Sequence, residues 1–375
     1  MDGKTAPARR GWRIRFWILC AGMPALGFLL VMLAKNSRWA AEYLFARGIT
    51  RVLTTPLTFV MNLFPFSVAE ILLYGLLISI PVGLLICCIR PRVKKWKRFG
   101  GWLLCLLCWG FFLFGTLFVV QFGRESLDSM LSYDTDNITA EELYETALPL
   151  LKEANALCDS VWYTEAGDSR YQEGQTLSQS NRMLLGHAYT GFSEMEAATG
   201  VPLGWINARP KPVLFSLGLS YTGITGIYIP FTGESNVNIL NPSFEIPMTA
   251  AHEMAHQKGF SREDEANYIA LWVCMQDADP YVRYSGYTCA FRYVANSLYR
   301  ADQELYRELM AQLDPRIRKE FSYYNAWWRQ FEGKVEEVST QINNAYLQAS
   351  GSPGVISYGL VTRLLVGEYR SGLEQ

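Results

Sequence analysis

Charge is what this sequence is shortest of. Only 18% of its 375 residues are Asp, Glu, Lys or Arg, against about 25% in an average soluble domain. The deficit is concentrated in the first third of the chain. The formal net charge is −1, which gives no basis for a nucleic-acid partner. A disulfide framework is excluded as well. Cys20, Cys87, Cys88, Cys105 and Cys108 lie in strongly apolar runs, where a thiol behaves as a small hydrophobe. The remaining Cys158, Cys274 and Cys289 are an odd set without a CxxC pair among them. Internal repeats and low-complexity tracts are also missing. Histidine occurs only at His187, His252 and His256.

What is present in the first third is lipid-compatible sequence. Residues 16–34 form a run of 19 without a charge, residues 71–89 and 101–122 are apolar around the whole helix circumference, and each run is long enough to cross about 30 Å of hydrocarbon. The first run exceeds the apolar core of a signal peptide and shows no small-x-small cleavage site, so it is predicted as a retained anchor. Residues 52–66, broken by Pro56 and Pro65, read as an interfacial or re-entrant helix. Lys4, Arg9, Arg10, Arg13 and Arg15 precede the first run, and Arg90, Arg92, Lys94, Lys95, Lys97 and Arg98 separate the second from the third. The opposite flanks carry only Lys35, Arg38, Arg47, Arg51 and Arg124. This bias predicts a multi-pass cell-membrane protein with a cytoplasmic N-terminus and an extracytoplasmic C-terminal domain.

The organisation expected is therefore a membrane domain of residues 1–126 with three transmembrane helices, and a domain of residues 127–375. The latter reads as α+β, mainly α. Thr139-Ala140-Glu141-Glu142 has capping-box form and opens a helix containing Pro149. One helix is expected over residues 178–198. Short β-branched and aromatic runs between Val201 and Pro247, punctuated by Gly and Pro, predict a small antiparallel sheet. After Pro247 helix resumes to about Leu347, and a last apolar helix is expected near residues 358–366.

Two of the histidines form His252-Glu253-Met254-Ala255-His256. On a helix, positions four apart share a face, so both imidazoles can reach one ion, and Glu253 sits beside that face to take a proton from water on the metal. Small residues at Thr249, Ala250, Ala251 and Ala255 allow close helix packing, and Gly259 can cap the helix. Ser261-Arg262-Glu263-Asp264 has capping-box form for a second helix. Glu263 is the predicted third ligand, with Glu265 as fallback and Asn267 placed to hold a ligand imidazole by hydrogen bond. Two His and one Glu suit catalytic Zn2+, which keeps one position open. The bland alternative is a helix with two merely buried histidines. The polar neighbours Gln257, Lys258, Ser261 and Arg262 argue against an HExxH motif at bilayer depth.

At these residues the sequence resembles the bacterial membrane-protein family DUF3810. The resemblance runs from Pro65-Phe66-Ser67-Val68-Ala69-Glu70 through Gly226-Ile227-Tyr228-Ile229-Pro230 and the His252 to Asn267 segment, ending at Gly354-Val355-Ile356-Ser357-Tyr358. HExxH followed by Glu263-x-x-x-Asn267 is also similar to the gluzincin arrangement of zinc peptidases, at a shorter interval than usual. The resemblance implies a zincin-like domain and a zinc metallopeptidase acting on peptides or proteins near the membrane. Zinc would acidify its water and polarise the scissile carbonyl, and Glu253 would serve as general base. Residues 226–230 would form a sheet edge that receives the peptide, with Tyr228 on it. Glu234 and Asn236 would line the groove, or alternatively end the strand with turn chemistry. His187 and Tyr358 are oxyanion-donor candidates by residue type, against a packing role for each. The competing function is a non-catalytic zinc-binding membrane sensor or scaffold.

Overall fold

The computed structural model describes residue 16 and residues 18–89, 92–187, 189–354 and 360–373. Two compact units emerge. One comprises the described residues up to Thr54 with Val68–Arg124 and Pro230–Thr232; the other comprises Thr55–Ser67, Glu125–Ile229 and the described residues from Gly233 on.

In the first unit, two helices are long and apolar enough to cross a membrane among the described residues. Val68–Ile89 and Val93–Gly123 each reach a mean hydropathy of 2.5. The third span expected over residues 16–34 is not built that way. Its regular α-helix is Met23–Asn36, 14 residues long, which covers only about 21 Å at 1.5 Å per residue. A π-helical turn, Ile18–Gly22, precedes it. Pro24, which has no N–H to give, lies in the first α-helical turn, where the register changes. Arg124 and Arg47 both reach Glu42, at 2.8 and 2.7 Å. This pairing satisfies a buried carboxylate next to the apolar helices. The helix Arg51–Met61 covers most of residues 52–66 and accommodates Pro56.

The second unit is mainly helical with small sheets, the α+β character expected from sequence. The capping box at Thr139 forms as the residues predict. Thr139 N–H donates to Glu142 Oε2 at 2.9 Å and Glu142 N–H to Thr139 Oγ1 at 3.2 Å. The helix expected over residues 178–198 is two, Leu177–Leu185 and Gly191–Thr199. Gly186 closes the first, its N–H reaching the carbonyls of Arg182 and Met183, and Tyr189 takes a left-handed φ of 43° that no continuing helix allows.

Strands β1 (Trp162–Tyr163) and β2 (Ser169–Arg170) pair antiparallel. Strands β3 (Lys211–Pro212), β4 (Gly226–Ile229) and β5 (Glu234–Val237) form a sheet of order β3–β5–β4. This sheet is mixed rather than antiparallel. A crossover containing the helix Ser216–Tyr221 separates β3 from β4, and the β4–β5 hairpin then folds β5 back between them. β5 therefore runs parallel to β3 and antiparallel to β4.

The helix Glu245–Gln257 is buried at every one of its 13 positions. It packs against β4 and β5 on one side and against the helices Glu263–Met275 and Pro280–Ala301 on others. A fully enclosed helix needs small side chains to let its neighbours in, and Ala250, Ala251 and Ala255 are each 0% exposed. The last helix is Val361–Leu373, later than the expected position.

Candidate metal centre

The end of the buried helix is set by Gly259, whose φ of +98° is open to glycine and costly for other residues. Phe260 N–H bonds to the Ala255 carbonyl and Gly259 N–H to the His256 carbonyl. These two bonds constitute a Schellman cap. The cap turns the chain within a few residues so that Glu263 opens the next helix beside the histidines. The expected capping box is not what starts that helix. Its N-cap is Arg262, which makes no side-chain cap bond, and three acidic residues in the first turn face the positive end of the helix dipole instead.

Glu263 Oε2 lies 3.2 Å from His252 Nε2 and 3.7 Å from His256 Nε2. One atom from each of the three residues falls within 4.8 Å of the other two. Ligands about 2.0–2.1 Å from a tetrahedral zinc are about 3.3 Å apart, so the donor set and its spacing fit such an ion. The imidazole rings stand at 83° to one another with centroids 4.6 Å apart. His256 Nδ1 is 2.7 Å from the Phe260 carbonyl. A carbonyl can only accept, so Nδ1 carries a proton and Nε2 is the ring atom that faces Glu263, donating to it while protonated and free to bind a metal once that second proton leaves. The Schellman turn thus fixes the tautomer that metal binding requires. Asn267 does not perform this duty: among the described residues its buried Nδ2 and the buried His252 Nδ1 have no hydrogen-bond partner.

Burial works against ionising Glu263, yet the charges and hydrogen bonds of His256 and His252 outweigh it and hold the carboxyl far below its usual range. For His256 burial disfavours the charged form, but Glu263 prevails and carries its pKa up to about 9. The His256–Glu263 pair therefore holds a proton where a cation fits, and a metal bound there would displace it.

Glu253 lies alongside β4, and it is Gly226 that makes room for it. A β-carbon on Gly226 would sit 2.6 Å from Glu253 Oε1 and 2.8 Å from Thr249 Cγ2. Burial raises the pKa of this carboxyl; His252, His256 and the Tyr228 backbone N–H oppose the shift, and Glu263 adds to it. A buried carboxylate with its pKa moved toward neutrality has the character of a general base.

Other expected site residues are placed elsewhere. Glu265 turns away from the histidines, accepting Leu127 N–H at 3.0 Å and Arg262 Nη1 at 2.7 Å, so the fallback ligand is committed to structure. Glu234 is buried in an ion pair with Lys211. Asn236 donates to the Ile227 and Glu234 carbonyls, at 3.3 and 3.1 Å, and both side chains serve the sheet rather than a groove. Tyr228, by contrast, stays beside the centre, on β4 with a buried ring and its backbone N–H toward Glu253. His187 Nε2 pairs with Asp277 at 2.7 Å. Asp277 lies past the far end of a 13-residue helix from Glu263, about 20 Å along its axis. That excludes His187 as an oxyanion donor at Glu263. Tyr358 lies outside the described residues.

Sequence reasoning missed Tyr346. Its phenol, on the helix Lys334–Ser350, is mostly buried and within electrostatic reach of Glu263; burial and that negative charge raise its pKa. A tyrosine more than eighty positions beyond Glu263 has no local spacing that would reveal it.

The profile of one protein family matches residues 45–366, and its description is protein of unknown function, DUF3810. The chain belongs to the DUF3810 family. No curated protein and no solved structure matches. The family segment contains Val68–Ile89, Val93–Leu117, the β4–β5 hairpin, and His252, Glu253, His256 and Glu263.

Proposed function

We propose that this chain is a membrane-anchored zinc-dependent metallopeptidase with a zincin-like domain, hydrolysing peptides or proteins close to the bilayer. The observation that carries the reading is the convergence of His252, His256 and Glu263 on one point, with Glu253 beside it against an edge strand. A zinc ion held by those three residues supplies Lewis acidity toward a carbonyl oxygen and toward water. Glu253 removes the proton from the attacking water and returns it to the leaving amine. Tyr346, whose phenol feels the charge of Glu263, is the candidate donor for the oxygen that becomes negative in the transition state. β4, terminal in its sheet, offers the register in which an extended peptide lies past Glu253.

The membrane arrangement proposed has Val68–Ile89 and Val93–Gly123 as spans, with the π-helical turn Ile18–Gly22 and the short helix Met23–Asn36 together, in place of one regular helix, completing a third. The lysine and arginine bias then sets the N-terminus in the cytoplasm and the larger unit outside.

Replacing Glu253 by Gln tests the chemistry. The purified full-length variant retains zinc and its unfolding temperature but loses cleavage of a labelled, unstructured protein. A variant that cleaves as well as the wild type contradicts the proposal, as does a wild type with bound zinc that cleaves nothing, the behaviour of a zinc-holding scaffold.

A further inference from the structure

The second unit carries a group of large apolar side chains in water-accessible positions that its own core does not use. Trp205 is 80% exposed, and Leu63, Phe64 and Phe66 are 69%, 37% and 41% exposed. They lie far apart in sequence but are tied to one clamp. Asn62 Nδ2 donates to the Asn207 carbonyl at 2.8 Å, and Asn62 Oδ1 accepts Arg209 N–H at 2.8 Å. Lys211 Nζ adds a bond to the Met61 carbonyl at 2.7 Å. Leu63 and Trp205 are thus one and two residues from the same pair of hydrogen bonds.

The Trp205 loop is also fixed from beneath. Buried Lys258, the C-cap of the helix that bears both histidines, donates to the carbonyls of Leu203, Gly204 and Ile206 at 3.4, 3.0 and 3.1 Å. Its ammonium also lies 4.8 Å from the centre of the Phe192 ring. A buried lysine that satisfies three carbonyls of one loop makes that loop rigid, so Trp205 is presented rather than left to move. Presenting an indole to water on a rigid loop has no stabilising effect within the domain; it is what a surface contact needs.

We propose that the Trp205 loop and the turn at residues 63–66 dock together into the headgroup region of the lipid bilayer. Chain continuity selects lipid over a protein partner. Phe66 is two residues before Val68, where a 22-residue apolar helix begins, so the turn enters the interface wherever that helix enters the bilayer. Tryptophan and phenylalanine are suited to this layer, which accepts an apolar ring beside a polar edge. Because Lys258 lies two residues beyond His256, the docked loop fixes the height of the histidine pair above the lipid, which restricts substrates to chain segments near the membrane surface. The docking rests on Val68–Ile89 being a membrane span and is independent of whether the histidine centre is catalytic.

The experiment uses the full-length protein reconstituted in phosphatidylethanolamine–phosphatidylglycerol vesicles. An azide-bearing phenylalanine is introduced singly at Trp205, Leu63, Leu77 or Glu141 and coupled to an environment-sensitive dye, which leaves the native cysteines untouched. Leu77 reports the middle of the span and Glu141 the water phase. At positions 205 and 63 the expected result is blue-shifted emission, quenching by lipids brominated near the headgroup, and loss of quenching by iodide. If position 205 responds to iodide as Glu141 does while Leu77 is quenched by lipid, the docking is wrong and the span stands. If position 63 alone is lipid-quenched, the joint docking is equally wrong. If Leu77 is itself iodide-accessible, the span reading fails and the docking with it.

Discussion

Gly226 and Glu253 are in such close contact that a β-carbon on the glycine would lie 2.6 Å from the carboxylate oxygen. The contact couples the edge strand to the proposed general base, and it makes the strand's first residue as constrained as the motif itself. Gly226→Ala must push the carboxylate or the strand by a few tenths of an ångström or more. A displacement of this kind at a reacting group costs on the order of 10²-fold in rate. The expected outcome is a kcat lowered by about 10–100-fold with zinc content unchanged, measured by steady-state kinetics beside metal analysis.

Tyr346→Phe removes one hydroxyl and little volume. If the phenol stabilises the developing oxyanion, kcat falls by about 10²-fold with KM nearly constant and the unfolding temperature retained. A loss in KM alone would assign Tyr346 to substrate contact instead.

Glu265 is expected to behave differently from Glu263. Glu265→Ala leaves the fully buried Leu127 N–H without its acceptor and Arg262 without its partner. The cost is about 1–3 kcal/mol, seen as a lower denaturant midpoint, while zinc content is preserved.

His187 gives a pH signature. The hydrogen bond that His187 donates to Asp277 raises its pKa, against the lesser opposing effect of burial, and the charges of Asp277 and Asp279 add to the rise. Protonated His187 therefore favours the folded state. That contribution is complete below the unfolded value of about 6.5 and is lost as pH rises through the higher folded value. Plotting unfolding midpoint against pH should show a decline above pH about 6.5 that is reduced in His187→Gln, with cleavage activity intact.

What was legible in the sequence was local. The four-residue spacing of His252 and His256, the turn at Gly259 and the box at Thr139 each depend on contacts within one or two helical turns. Glu263 was legible for the same reason, since a short turn delivers it. The Ser261 box failed because Arg262 occupies the cap. The break after Leu185 was hidden because Gly186 and Tyr189 interrupt an otherwise helical pattern by backbone conformation, not by composition. Tyr346, the parallel pairing of β3 with β5, and the Lys258 bonds to a loop over fifty residues away are tertiary facts. No periodicity encodes them. The roles expected of Glu234, Asn236 and Asn267 went astray because a polar side chain near a motif in sequence can be used by the sheet or helix that holds it.

The most direct test of the account is metal analysis of the purified full-length protein beside its Glu263→Ala variant, both shown to be folded by circular dichroism. About one zinc per wild-type chain is expected, with most of it lost in the variant. Wild-type protein without zinc after metal loading, or a folded Glu263→Ala variant that binds zinc as tightly as the wild type, would contradict it.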